Sequence, residues 1–104
     1  MGRPRSAYAY DHDTIANRLA MRLGTEHRRS GVDVVVNNMA LEVAVSRDDV
    51  RTSIPQLKRS RARKKYMVVP RPLTAWTKKS LTGTGIGIAT TNGKIVKRSR
   101  RRTR

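Results

Sequence analysis

A small mixed β-sheet flanked by two helices, an α/β (α+β) domain, is the architecture that the hydrophobic patterning of this chain dictates. Two observations carry that expectation. The stretch GVDVVVNNMALEVAVS, residues 31–46, reads as a tight β-hairpin, because two apolar β-branched runs flank Asn37-Asn38 and Asn tolerates the positive φ that a two-residue primed turn demands. Around it stand a helical repeat before and a second hairpin pattern after, each with its own stop signal. A third observation concerns partners: 24 Lys and Arg oppose seven acids over 104 residues, a net charge of +17. A chain so basic repels itself unless a polyanion neutralises it, so nucleic acid is the default partner.

The chain divides into a basic and aromatic arm (1–10), a folded body (11–97) and an Arg-rich tail (98–104). The arm carries Arg3 and Arg5 beside Tyr8 and Tyr10. From Asp11 the pattern becomes helical: Asp13 or Thr14 can cap, and Ile15, Leu19 and Leu23 recur every four residues with Ala16, Ala20 and Met21 beside them. Gly24 ends that helix as a C′ glycine. Thr25 to Ser30 is a short polar connection or an edge strand.

The Asn-Asn turn sets the hairpin register. It pairs Val36 with Met39, Val35 with Ala40, Val34 with Leu41 and Asp33 with Glu42. Alternation places Val34, Val36, Met39, Leu41, Val43 and Val45 on one wholly apolar face. Asp33, Val35, Ala40, Glu42, Ala44 and Ser46 share the other. Two carboxylates directly opposite each other, Cβ atoms roughly 5 Å apart, are destabilising without a cation. A metal ion or an Arg or Lys head group (Arg28, Arg29 or Lys58) is therefore expected beside Asp33 and Glu42.

Beyond the hairpin, Ser46-Arg47-Asp48-Asp49 resembles a cap and first turn, but Ser53-Ile54-Pro55 is the better helix start, since Pro suits the first helical position. The helix over 55–65 then holds six cations in eight residues, namely Lys58, Arg59, Arg61, Arg63, Lys64 and Lys65. Its apolar stripe is thin: Ile54, Leu57 and Ala62. Tyr66 to Val69 is a short buried strand stopped by Pro70, and Pro70-Arg71-Pro72 an irregular link to Trp76. The segment 83–97 reads as a second hairpin around Asn92-Gly93. Gly83, Gly85 and Gly87 mark a strand that another part of the chain approaches closely, and their spacing does not fit a dinucleotide fingerprint. Lys97, Arg98, Arg100, Arg101, Arg102 and Arg104 crowd the end of the chain, from which no core can be built.

The order helix, Asp33, Glu42-Val43-Ala44, Gln56-Leu57 opening a basic helix, then Tyr66 to Val69, resembles the PD-(D/E)xK nucleases, among them archaeal Holliday junction resolvases and RecB-type nucleases. The resemblance covers residues 11–97 and implies a restriction-endonuclease-like fold. It implies Asp33 and Glu42 as ligands of a Mg²⁺ that polarises the scissile phosphate and activates water. Asp13 or Glu26 would be an accessory acid, and Gln56 the helix residue nearest the site. The chain departs from the pattern at Ala44, where the family has its Lys, and at Val32, where it has Pro. Lys58 is the candidate substitute for that Lys.

Two function classes follow. The first is a non-catalytic nucleic-acid-binding protein, with no cofactor, whose partner is structured RNA, as in a small ribosomal-type protein of a ribonucleoprotein particle. Its contacts are phosphates held by the arm, the 58–65 run and the tail. The second is a Mg²⁺-dependent DNA endonuclease or resolvase using Asp33, Glu42, Gln56 and Lys58. A DNA-packaging role is a weaker third. His12, between Asp11 and Asp13, reads as part of a helix-start cluster or as a metal ligand. Trp76 and Tyr66 read as core or boundary residues. Cys is absent, which excludes disulfides and thiolate metal sites. No apolar run approaches the roughly 20 residues of a membrane span, no secretory signal opens the chain, and a cytosolic location is the default.

Overall fold

The structure, a computed structural model, describes residues 12–25 and 32–100. Helix α1 (His12–Arg22) comes first, then strands β1 (Val34–Val36) and β2 (Met39–Val43). Helix α2 (Arg47–Arg59) leads to β3 (Lys64–Val69). A 3₁₀ turn (Arg71–Leu73) and helix α3 (Thr74–Ser80) precede β4 (Gly87–Thr90) and β5 (Ile95–Lys97). The result is a mixed α/β body with one five-stranded sheet in the order β1-β2-β3-β4-β5. The outer pairs are antiparallel and the inner pairs, β2 with β3 and β3 with β4, are parallel.

The first hairpin adopts the register its turn requires. Asn37 and Asn38 have φ of 48° and 64°, and Val36, Val35 and Val34 face Met39, Ala40 and Leu41. Its apolar face packs on α1, where Ile15, Ala16, Leu19 and Ala20 meet Val34, Leu41, Val43 and Val68. Helix α1 ends in a Schellman motif at Gly24, with φ of 75°: Thr25 N–H donates to Ala20 O and Gly24 N–H to Met21 O. Met21, expected beside the apolar stripe, is instead 79% exposed.

The opposite face of the sheet is also covered. Ala40, Ala44, Met67, Val69 and Ile88 pack against Val50 and Leu57 of α2 and against Leu81. Burial on both faces is what parallel strands require. It also means that Asp33 and Glu42, on that face, lie inside the body.

Two expectations about α2 are corrected. The helix starts at Arg47, with Ser46 accepting the Asp49 N–H as N-cap, and runs through Pro55. The cap and the burial of Val50, Ser53 and Leu57 outweigh the one amide that Pro55 cannot donate. The helix also stops at Arg59, because Ser60 is extended at φ −66°, ψ 142°. The basic run is therefore not one helix: Lys58 and Arg59 end α2, Arg61 and Arg63 lie in a connection, and Lys64 and Lys65 open β3. A third helix, α3, follows the link at 70–72 and carries Trp76, where no element was expected.

Candidate nucleic-acid interface and the acidic corner

The acidic corner forms where the start of β1 meets the end of β2. Asp33 N–H donates to Glu42 Oε1 at 3.0 Å, and Val43 N–H donates to Asp33 Oδ2 at 2.8 Å. Each carboxylate thus replaces a missing rung of the hairpin ladder. Ser53 Oγ of α2 donates to Glu42 Oε2 at 3.3 Å. Asp33 and Glu42 are only 6% and 5% exposed.

The cation expected between the two acids was a metal or a Lys or Arg. Among the described residues, the group in contact is the imidazole of His12, whose Nε2 lies 3.0 Å from Asp33 Oδ2, while its Nδ1 lies 3.0 Å from Asp13 Oδ1. Arg28, Arg29 and Glu26 lie outside the described residues. Burial, joined by the charge of Asp33, pushes the Glu42 carboxyl up to about 7. Burial works against charging His12, but the hydrogen bonds and charges of Asp13 and Asp33 outweigh it and raise its pKa.

Both carboxylates are already engaged by groups of the protein. Both Glu42 oxygens already accept hydrogen bonds inside the body, and Mg²⁺ ordinarily keeps several waters. Ala44 is 0% exposed and packs with Val50 and Leu57, so the position where the resembled family has Lys points into a core. Gln56 lines a hollow of about 450 Å³ with Val32, Val35, Asn38 and Arg59. Lys58 lies elsewhere, in a second groove.

That groove, about 460 Å³, opens at the N-terminal ends of β3 and β4. Lys58, Arg61, Arg63, Lys65 and Arg100 supply its cations, and no carboxylate lines it. Lys58 sits at a helix C-terminus, where a positive charge is favoured in any protein. Lys65 Nζ donates to Lys58 O at 3.2 Å and so has a structural use. Arg61, Arg63 and Arg100 have no such use: among the described residues, the one Lys or Arg in an ion pair is Arg51, with Asp48.

Residues 98–100 are brought into the groove by three contacts. Ser99 Oγ accepts the Lys65 N–H at 3.0 Å and donates to Gly85 O at 3.4 Å, and Arg100 N–H donates to Gly85 O at 2.8 Å. Gly87 makes the approach possible, since a Cβ there would lie 2.5 Å from Ser99 N and from Tyr66 Cε1, and 2.6 Å from Lys97 O. Of the three glycines expected to mark a closely approached strand, Gly87 alone lies in one and is approached by the chain's own C-terminal segment, whereas Gly83 and Gly85 precede β4 with φ of 82° and 77°. Arg59 and Arg61 continue the cationic wall into the hollow beside Gln56. Lys64 and Arg98 are exposed nearby in sequence, and Lys97 is half-buried on β5. Arg3, Arg5, Arg101, Arg102 and Arg104 lie outside the described residues.

Sequence reasoning missed the link between His12 and Asp33, which are 21 residues apart. It also missed Ser99, whose only signal was its place in an Arg-rich run. Among the described residues, no helix is long and apolar enough to cross a membrane. Comparison with protein-family models, curated proteins and solved structures finds no match.

Proposed function

We propose that this is a non-catalytic nucleic-acid-binding protein, a structural RNA-binding subunit of the ribosomal-protein kind. It holds a sugar-phosphate backbone in the groove formed by the end of α2, the 60–63 connection and residues 98–100. One observation carries the reading: five cations from two separate stretches of chain, 58–65 and the segment at Arg100, line one groove without a carboxylate among them. Holding them together unneutralised is costly, and phosphates offset that cost. Their contacts position a backbone without reading sequence.

The absence of catalysis rests on the acidic corner. Asp33 and Glu42 face inward and complete the hairpin ladder, and Ala44 is sealed in the core. The scaffold of a nuclease of the PD-(D/E)xK kind, with its corner put to structural use, accounts for the order hairpin, helix, parallel strand. The reading of a Mg²⁺-dependent endonuclease is favoured by one observation, that the two carboxylates meet across adjacent strands.

The test is fluorescence anisotropy with an RNA hairpin and a DNA duplex, each incubated with and without Mg²⁺ or Mn²⁺. Binding is expected to weaken steeply between about 50 and 200 mM salt, to favour RNA, and to leave both molecules intact. Metal-dependent cutting that Asp33→Ala or Glu42→Ala abolishes would establish the nuclease instead. No binding to either polymer at low salt would end the proposal.

A further inference from the structure

A second cationic hollow lies at the other end of the parallel strands. Val69 and Thr90 end β3 and β4, so the segments that follow them emerge along one sheet edge, the edge where open α/β sheets place ligands. Arg71 opens the 3₁₀ turn after β3, and Thr91, Asn92 and Lys94 form the loop after β4. With Thr74 and Val96 they surround a cavity of about 380 Å³ that no carboxylate lines.

The walls of this cavity are fixed by the backbone. Gly93 N–H donates to Thr90 O, Thr90 N–H to Lys94 O and Lys94 N–H to Thr90 Oγ1. Arg22 of α1 pins the loop from outside, its Nη1 donating to Asn92 O at 2.6 Å. The side chains of Arg71, Thr91, Asn92 and Lys94 spend nothing on this scaffold. Two cations, a hydroxyl and an amide therefore belong to residues that line a hollow held in shape by the backbone. A tetrahedral oxyanion suits such a set of donors.

We propose that this hollow is a second anion site, separate from the groove, and that it takes a phosphate group of the same sugar-phosphate chain. Strand β3 spans six residues, so at about 3.3 Å per residue the two sites stand roughly 17–20 Å apart. For a B-form duplex whose axis runs along β3, at about 3.4 Å of axis per nucleotide of one strand, that interval covers five or six phosphates. Strand β5 joins the two, since Lys94 lines the hollow and Arg100 the groove. Between them Ile95 and Val96 are 49% and 44% exposed and offer an apolar surface to sugar or base. The site's chemistry stands on its own residues, whereas its occupant rests on the reading of the groove.

The experiment is an amide-resolved NMR titration of the full chain with an RNA hairpin, and separately with inorganic phosphate, repeated on Arg71→Gln/Lys94→Gln. Both side chains are exposed, so the fold is expected to survive the change. With RNA, amides at 61–65 and at 90–94 are expected to shift together. In the double variant the second set stops moving, and the slope of log K against log salt falls by about one to two. Shifts at 61–65 with none at 90–94 overturn the second site and leave the groove. Shifts at 90–94 with phosphate but none anywhere with RNA keep an anion site, assign it to a free phosphate compound, and overturn the shared chain. No shift at 90–94 with either probe ends the proposal.

Discussion

Replacing Glu42 by Gln should remove most of the pH dependence of this protein's stability near neutrality. The Glu42 carboxyl ionises at about 7 in the folded chain against 4.5 as its ordinary value. Between those two values the folded state holds a proton that the unfolded chain has released. The stabilisation this provides is complete below about 4.5 and is lost as pH rises through about 7. At 1.36 kcal/mol per pH unit the loss is at most about 3 kcal/mol. His12 acts in the same direction, because its pKa is also raised: its share is present below 6.5 and lost as pH rises through its folded value. Gln is the neutral isostere of protonated Glu. It still accepts from Asp33 N–H, and its amide can donate to Ser53 Oγ. Urea denaturation between pH 5 and 8, followed by the fluorescence of Trp76, the single Trp, measures both proteins. Wild type should lose about 2–3 kcal/mol across that range, or roughly 10–20 °C in Tm, while the variant loses only the smaller share due to His12. Parallel curves for the two proteins, or a wild type equally stable at both ends, would refute the reasoning.

Other perturbations test other parts of the structure. Gly87→Ala should push residues 97–99 off the sheet, because its Cβ meets backbone at 2.5 Å. A loss of about 1–3 kcal/mol, with a shallower salt dependence of RNA binding, is the expected result. Ala44→Lys introduces a Lys where the resembled family has one, but at a fully buried position. It should destabilise the chain by about 4 kcal/mol or more and yield no Mg²⁺-dependent cleavage of a branched DNA. Ser46→Ala removes the N-cap bond to Asp49 and should cost about 1 kcal/mol, read by the same urea titration.

Local chemistry made the two hairpins and α1 legible. Asn37-Asn38 and the alternation around it specify a register that the structure repeats pair by pair, and Gly24 marks a helix end that needs positive φ. The start of α2 lies eight residues before Pro55, because the strong local signal of Pro55 is outweighed by a tertiary one, the burial of Val50 beneath the helix. Helix α3 has seven residues and no side-chain cap, so nothing periodic announces it. What holds it is the burial of Thr77 and Leu81. At the acidic corner, the pairing of Asp33 with Glu42 could be read from strand geometry, but its burial could not. That depends on α2 closing over a face that alternation alone left polar. The groove was the least legible feature. Its cations were visible as runs, but parallel pairing of β3 with β4 and the Ser99 contacts decide which of them meet.

The central claim is that cations from distant stretches form one phosphate-binding surface, and the most direct measurement is the salt dependence of RNA affinity for wild type and for Arg61→Gln/Arg63→Gln/Arg100→Gln. Since each phosphate contact contributes about 0.7–0.9 to the slope of log K against log salt, the triple variant should lose about two to three from that slope while its urea midpoint does not fall, because like-charge repulsion is relieved. An undiminished slope would contradict the account, because the RNA would then be held by charges that the groove does not contain.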